Sequence, residues 1–165
     1  MTNVIVRSAS AGDAEAIARI YDYYIRNTVV TFEEEPVSAP AMASRIAEVR
    51  GQSLPWLVAE AENTVVGYAY ATKWKARSAY RYSVETTVYL EPGYEGRGIG
   101  TALYSALLPS LRACGVHVVV GGIALPNAAS VALHEKLGFE HVGTFRQVGF
   151  KHERWVDVAY WQLVL

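Results

Sequence analysis

The sequence predicts a single domain over residues 1–165 of the α/β or α+β class, with one mixed, mostly antiparallel sheet between helices on both faces. Its 165 residues suit one compact domain. Hydrophobic residues make up 52% of the chain, which is enough to fill a core without disulfides. Segments with helical periodicity alternate with β-branched and aromatic segments in the order β-α-α-β-β-β-α-β-α-β-β. This order is typical of a sheet packed between helices.

The first elements are a short strand and a helix. Residues 4–7 predict the strand. Ser10 and Asp13 have the spacing of a capping box, in which a side-chain oxygen and an acid three residues later satisfy free N–H groups at a helix start. The apolar residues that follow at helical spacing are Ala16, Ile17, Ile20, Tyr24 and Ile25.

A loop and a second helix come next. Residues 27–36 lose the helical period and predict a loop, in which Phe32 is the one large apolar side chain. Ser38 predicts the N-terminal cap of an amphipathic helix that runs to about Arg50.

Three strands follow, because the period changes after Gly51. Residues 56–61, 65–74 and 80–90 are rich in Val, Tyr, Thr and Trp. Residues 62–63 predict the turn between the first two strands, and residues 92–93 (Pro-Gly) end the third.

A glycine-rich loop then leads into a third helix, whose apolar residues are Ile99, Leu103, Leu107 and Leu111. Pro109 is expected to kink or shorten this helix, because proline lacks an N–H and its ring crowds the preceding turn. Residues 116–123 form an apolar run that suits a buried and parallel strand.

The last elements are a helix and a hairpin. Asn127 predicts the start of the helix, which ends at Leu137 with Gly138 as a left-handed cap. Residues 139–150 and 155–165 predict two closing strands joined through residues 151–154.

Composition and charge exclude several classes of protein. Fifteen Lys and Arg oppose sixteen Asp and Glu, for a net charge of -1 and with no basic stripe, so a nucleic-acid partner is not expected. The longest apolar run is far shorter than a membrane span, and no signal peptide is recognised. The single Cys114 rules out an internal disulfide and suits the reducing cytoplasm, and the four histidines lack metal-ligand spacing.

The glycine-rich segment is the most informative one for chemistry. Residues 96–101 (Gly-Arg-Gly-Ile-Gly-Thr) lie between a strand end and a helix start. Glycines allow the backbone to approach a ligand closely, and the free N–H groups with the helix dipole favour an anion such as a pyrophosphate. The spacing matches neither a Walker loop nor a dinucleotide fingerprint. A flexible connection before a helix is an equally good interpretation of the segment alone.

Glu85 is a carboxylate within an otherwise apolar and aromatic strand. Burial there would raise its pKa toward neutrality, which a general base needs. The alternative is that the strand alternates and Glu85 faces water.

Charged residues near this strand offer two more candidates. Lys75 and Arg77 lie two residues apart in an extended segment, so they share a side and could clamp an anionic group; a solvated pair in a loop is the alternative. His134 lies about two turns into the last helix, where a histidine is more often structural than catalytic.

Taken together, these segments resemble the GNAT superfamily of acyl-CoA-dependent N-acyltransferases, and most closely its phosphinothricin and methionine sulfoximine N-acetyltransferases. The matching motifs are Trp-Lys-Ala-Arg-Ser-Ala-Tyr, Val-Glu-Thr-Thr-Val-Tyr, Leu-Pro-Asn followed by Leu-His-Glu-Lys-Leu-Gly-Phe, and Gly-Phe-Lys-His. They occur in register along essentially the whole chain. The resemblance therefore implies a GNAT-like domain that acetylates a small amino-acid-like substrate and uses acetyl-CoA, without a metal.

The resemblance also assigns roles by position. It implies Glu85 as the general base and His134 as a second catalytic residue. Acetyl-CoA would be bound by Val88, Tyr89, Leu90, Gly96, Arg97, Gly98, Ile99, Gly100, Thr101 and Asn127. The acceptor would be bound by Phe32, Lys75, Ala76, Arg77, Tyr80, Glu85, Thr86 and Thr87.

One position departs from the family pattern. The glycine-rich loop has Glu95 where the superfamily has Gln or Arg, so Glu95 is expected to point away from the pyrophosphate while Arg97 supplies compensating charge. The family is usually homodimeric, and Tyr23, Trp155 and Tyr160 would suit either an interface or the core. Rival interpretations are a GNAT enzyme for another amine and a non-catalytic acyl-CoA sensor.

Overall fold

Seven strands form one sheet, with helices on both faces, in the computed structural model, which describes residues 3–165. The strands are β1 (Val4–Ser8), β2 (Trp56–Ala61), β3 (Thr64–Lys73), β4 (Ser83–Leu90), β5 (Val118–Ala124), β6 (Glu140–Lys151) and β7 (Arg154–Val164). The helices are α1 (Ala14–Asn27), α2 (Ala39–Gly51), α3 (Ile99–Ala113) and α4 (Ala128–Lys136). Within the described residues the strand order is β1-β2-β3-β4-β5-β7-β6, and only β4 and β5 run parallel. The predicted mixed, mostly antiparallel sheet is confirmed.

Two apolar layers hold the helices on the sheet. Helices α1 and α2 pack on one face, where Val58 and Tyr68 are buried. Helix α3 packs on the other face with Leu103, Leu107 and Leu111 fully buried. Each helix therefore buries the apolar stripe that its sequence period predicts.

The sheet opens in its middle, between β4 and β5. Their parallel pairing is short, since it joins Ser83–Glu85 of β4 to Val118–Val120 of β5 and goes no further. Beyond Glu85, β4 continues to Leu90 paired with β3 alone, while β5 continues paired with β7. We call this divergence the β4–β5 gap. It leaves one edge of β4 without a strand partner, which gives an extended ligand access to backbone N–H and C=O groups.

Two predictions about local structure need correction. The strand predicted at residues 80–90 begins at Ser83, because residues 78–80 form a 3₁₀ turn. Of the two effects predicted for Pro109, a kink or a shortening, the shortening is wrong, because helix α3 runs on to Ala113. The buried Leu107 and Leu111 on either side of this proline hold the helix against the sheet, and proline removes only one helical hydrogen bond.

Two other predictions of local structure are confirmed. The Ser10 backbone N–H donates to the Asp13 carboxylate at 2.7 Å, as the capping box predicts. Residues 62–63 and 152–153 make two-residue hairpin turns with positive φ. No helix among residues 3–165 is long and apolar enough to cross a membrane.

Candidate active site

A cavity of about 860 Å³ fills the β4–β5 gap. The second half of β4 forms one wall, and the glycine-rich loop, the end of β5 and helix α4 form the rest. The residues proposed from the sequence that line it are Glu85, Thr86, Thr87, Val88, Tyr89, Leu90, Gly96, Gly98, Ile99, Gly100, Thr101, Asn127 and His134. The fold therefore brings both predicted catalytic residues and most predicted cofactor positions to one opening.

The glycine-rich end of the cavity has the backbone geometry of an anion site. Gly96 and Gly98 have φ of +73° and +79°, values that favour glycine. Gly98 is also the N-cap of α3, so the free N–H groups and positive dipole end of a fifteen-residue helix face this region. At the facing helix, the Asn127 side chain caps α4 by accepting the Ser130 N–H at 3.1 Å.

Two charged residues of this loop were singled out from the sequence. Glu95 is among the residues that line the cavity, and the expected direction of its carboxylate away from a pyrophosphate stays a prediction. Its carboxylate accepts the Gly93 N–H at 2.7 Å, which ties the side chain to its own turn. The Arg97 guanidinium lies 4.7 Å from the centre of the Tyr94 ring, and Arg97 is not among the residues that line the cavity.

The free edge of β4 runs from this loop toward the centre of the sheet. Its last carbonyl, on Leu90, accepts a hydrogen bond from the Tyr24 hydroxyl at 2.6 Å. Helix α1 therefore fixes the end of the edge, while Val88 and Tyr89 face the cavity without a β5 partner.

Glu85 stands where β4 and β5 part. Burial raises the pKa of its carboxyl group, and the positive charge of Lys75 opposes this rise. A methyl group at Gly122 would lie 3.1 Å from Glu85 Oε1 and 3.0 Å from Tyr160 Cε1. Glycine at this position thus leaves room for the carboxylate beside the Tyr160 ring.

His134 belongs to a buried chain of hydrogen bonds. Its Nδ1 lies 2.7 Å from the Ser130 carbonyl oxygen, which can only accept, so Nδ1 carries a hydrogen. Burial lowers the pKa of His134, which favours the neutral ring and leaves Nε2 as an acceptor. The Tyr104 hydroxyl lies 3.0 Å from Nε2 and 3.0 Å from Thr86 Oγ1. We infer that Thr86 donates to Tyr104 and Tyr104 donates to His134.

Glu85 and His134 approach the cavity from opposite faces of the sheet. Successive residues of a strand point to opposite faces. Glu85 precedes Thr86, whose side chain joins Tyr104 and His134 on the α3 side. Gly121 and Gly122 repeat this alternation, since a methyl group would meet His134 at the first and Glu85 at the second.

The other predicted acceptor residues lie outside the large cavity. Phe32, Lys75, Ala76, Arg77 and Tyr80 are not among its lining residues, and Lys75 and Arg77 are exposed. Tyr80 instead lines a second cavity of about 590 Å³, together with Trp74, Phe145 and Tyr160. Because Tyr160 also packs near Glu85 and Gly122, this second cavity borders the carboxylate. Phe32 packs against the backbone of Gly149.

Sequence reasoning missed two contributors to the site. Tyr104 is the one aromatic residue on the buried face of α3, and this isolated hydroxyl among aliphatic side chains was an available signal. The Gly121–Gly122 pair interrupts an apolar strand, which often marks close approach of another group. No three His, Cys, Asp or Glu side chains in residues 3–165 lie close enough together to hold a metal ion.

Comparison with known proteins gives the class of this site. A family model described as an acetyltransferase (GNAT) domain matches residues 6–160. The chain belongs to the GNAT acetyltransferase family, and it is an N-acetyltransferase that uses acetyl-CoA as acetyl donor.

Within this family the chain is similar to three characterised or solved proteins. It is 43% identical over 159 residues to phosphinothricin N-acetyltransferase of Streptomyces viridochromogenes, covering 96% of this chain and 86% of that protein. It is 37% identical over 163 residues to L-methionine sulfoximine/L-methionine sulfone acetyltransferase of Salmonella typhimurium, covering 97% and 94%. The structure of a phosphinothricin acetyltransferase from Sinorhizobium meliloti in complex with acetyl-CoA superposes with a TM-score of 0.95 at 42% identity, covering 100% and 89%.

Proposed function

We propose that this enzyme acetylates the α-amino group of a small amino-acid analogue, namely phosphinothricin, methionine sulfoximine or methionine sulfone. The observation that carries the proposal is the β4–β5 gap, where one cavity holds both the anion-binding turn and the half-buried Glu85. The activities for which the two relatives are named support the same substrate class.

The residues present fit acetyl-CoA as the first substrate. The free edge of β4 at Val88–Leu90 would hold the amide groups of the pantetheine arm, in the manner of an added strand. The backbone of Gly96–Thr101 would hold the pyrophosphate, with Arg97 adding positive charge at the rim. Asn127 would contribute from the N-terminus of α4. A cavity of about 860 Å³ is large enough for a ligand of this kind.

The acceptor would bind on the Glu85 side of the gap. Glu85 and Thr87 line the cavity there, while Thr86 lines it from the α3 side, and Lys75 acts on the Glu85 carboxyl electrostatically. Two exposed cations, Lys75 and Arg77, suit the anionic end of a phosphinothricin-like acceptor. Phe32, Ala76 and Tyr80 complete the acceptor set that we propose.

Transfer is direct in this proposal. An α-ammonium group must lose a proton before it attacks the thioester, and Glu85 accepts that proton directly or through a water. The Val88 N–H polarises the thioester carbonyl. Overall, the ammonium group and the thioester become an amide, a thiol and one free proton. Lys75 and Arg77 orient the acceptor so that its amine faces Glu85.

The hydrogen-bond directions around His134 favour a positioning role. A neutral ring whose Nδ1–H is held by Ser130 has no proton to give from Nε2. We therefore propose that His134 fixes the Tyr104 hydroxyl, which lines the cavity, rather than protonating the departing thiolate. The thiolate would take its proton through water, and the second proton that the amine nitrogen loses as the amide forms would replace it.

The enzyme is also proposed to act as a homodimer in the cytoplasm. Six apolar side chains of the β6–β7 hairpin are more than half exposed, namely Val142, Phe145, Val148, Phe150, Trp155 and Val164. So large an apolar strip is typical of a surface that another protein covers. Tyr23 is also exposed, whereas Tyr160 is half-buried in the second cavity. The one free cysteine suits a reducing compartment.

Release of free thiol from acetyl-CoA tests the proposed substrate class. Each of the three analogues is expected to give thiol release, whereas spermidine and a peptide with a free N-terminus serve as rival acceptors. Rapid release with a rival and none with the analogues would replace the proposal by another amine. Binding of acetyl-CoA by calorimetry, with no transfer to any acceptor, would favour the acyl-CoA sensor.

A further inference from the structure

Lys151, the last residue of β6, is buried although lysine is rarely found inside proteins. Its exposed fraction is 1%, and its ammonium group donates to the Thr31 carbonyl oxygen at 2.8 Å. A buried ammonium is costly unless it is hydrogen-bonded, and burial lowers the pKa of Lys151 while Glu34 opposes that change. The proposed chemistry makes no use of this residue.

The partner of Lys151 belongs to the segment that joins α1 to α2. We call residues 28–38 the acceptor loop; it has no helix or strand of its own. Val30 and Thr31 of this loop line the large cavity. Val29 packs with Ala124 at the end of β5 and Val156 of β7. The loop thus crosses the mouth of the gap on the side that Glu85 faces.

Three further contacts fix the other side of the acceptor loop. The Tyr21 hydroxyl lies 2.7 Å from Thr31 Oγ1 and also hydrogen-bonds to the Glu33 carboxylate. Arg45 of α2 donates to both oxygens of Glu33, at 2.6 and 2.9 Å. Charge-assisted, two-point bonds of this kind set geometry strongly. Helices α1 and α2 therefore hold the loop from one flank.

Strand β6 holds the loop from the opposite flank at two consecutive loop residues. Lys151 bonds to Thr31, and Phe32 packs on Gly149 so closely that a methyl group there would lie 2.2 Å from the Phe32 ring. Gly149 and Lys151 share a face of β6, since they are two residues apart. Both contacts therefore act on the loop from the same side.

We propose that Lys151 is a positioning residue that sets the acceptor wall of the cavity by holding the Thr31 carbonyl. Its loss would let residues 30–32 move away from the gap, so the acceptor would bind more weakly while the acetyl-CoA contacts, which lie on β4, α3 and α4, stay in place. This inference rests on the proposed function for the identity of the acceptor.

Kinetics of Lys151→Met test the proposal, because methionine keeps the bulk of the chain without the ammonium group. The KM for the acceptor is expected to rise about 10-fold or more, as for the loss of a hydrogen bond to a charged group, with an unchanged dissociation constant for acetyl-CoA. Lys73→Met, at the exposed end of β3, is the matched control and should leave both constants unchanged. An unchanged acceptor KM in folded Lys151→Met would overturn the proposal.

Gly149→Ala gives a second and independent perturbation of the same loop. Its methyl group must displace Phe32, so the acceptor KM should rise in this variant as well. Hydrogen exchange in the acceptor loop is measured alongside in both variants without any acceptor. Faster exchange confined to this loop supports the positioning role of Lys151 even if none of the three analogues is acetylated, which would refute the proposed function alone. Unchanged exchange in both variants would refute this positioning role whatever the substrate.

Discussion

Substituting Gly121 by alanine tests whether the position of His134 matters for turnover. A methyl group at Gly121 would lie 2.9 Å from both Cδ2 and Nε2 of His134. Carbon atoms at their best separation lie about 3.5–4.0 Å apart, so the imidazole has to move by about 0.5–1 Å. The ring is held by Ser130 and Tyr104, so this movement must lengthen at least one of those hydrogen bonds.

The size of the effect follows from these contacts. Overpacking a buried site costs about 1–3 kcal/mol, and weakening one buried hydrogen bond costs about 1 kcal/mol. We therefore expect Gly121→Ala to lower the free energy of unfolding by about 2–4 kcal/mol. A displacement of about 1 Å in a group that lines an active site can lower turnover about 100-fold. We expect a loss of this size if the Tyr104–His134 pair positions the reacting groups.

Three measurements on the same variant give the test. Thiol release gives turnover, denaturant unfolding gives stability, and nitrogen NMR of labelled histidine gives the protonation of the His134 ring. In the wild type, the NMR signals should show hydrogen on Nδ1 and none on Nε2. Gly51→Ala is the control, since a methyl group there meets no atom within 4 Å. Wild-type turnover in a variant whose His134 signals have shifted would refute the positioning role of this ring.

Two further predictions concern Glu85 and the β6–β7 strip. Because burial raises the pKa of Glu85 in the folded state, the folded protein binds a proton that the unfolded chain has released. The stability that this group contributes is therefore present below the unfolded pKa and is lost as pH rises through the folded pKa. Glu85→Gln should be more stable than the wild type above this window, and not at about pH 4. An equal difference at both pH values would contradict the buried carboxyl. For the apolar strip, light scattering of the wild type should give a molar mass of twice the 18.1 kDa of one chain. Trp155→Glu should lower this mass toward that of a monomer. A monomeric wild type would refute the dimer proposal.

Local patterns in the sequence were sufficient for most of the fold. The strand period placed Glu85 in β4, and the glycines of residues 96–100 marked the turn into α3. The predicted shortening of α3 at Pro109 was wrong, because helix propensity does not include the tertiary packing of Leu107 and Leu111 against the sheet. The strand was also predicted to begin three residues too early, since Tyr80 and Tyr82 suit a strand, although residues 78–80 form a 3₁₀ turn.

The divergence of β4 from β5 could not be predicted from local patterns. Residues 86–90 have the composition of a paired strand, and only the register of two distant segments shows that one edge is free. The Lys151–Thr31 contact is also beyond local reasoning, because 120 residues separate its partners along the chain. Tyr104 was passed over because its hydroxyl gains a role only when α3 and α4 pack together.

The position of the transferred acetyl group tests the central claim most directly. Methionine sulfoximine carries two nitrogens, the α-amine and the sulfoximine nitrogen, and only the first would face Glu85 in the proposed arrangement. Reaction with acetyl-CoA labelled in the acetyl carbonyl, read by carbon and nitrogen NMR of the product, is expected to show one label, bonded to the α-nitrogen. A label on the sulfoximine nitrogen, or no acetylated product from any of the three analogues, would contradict the account.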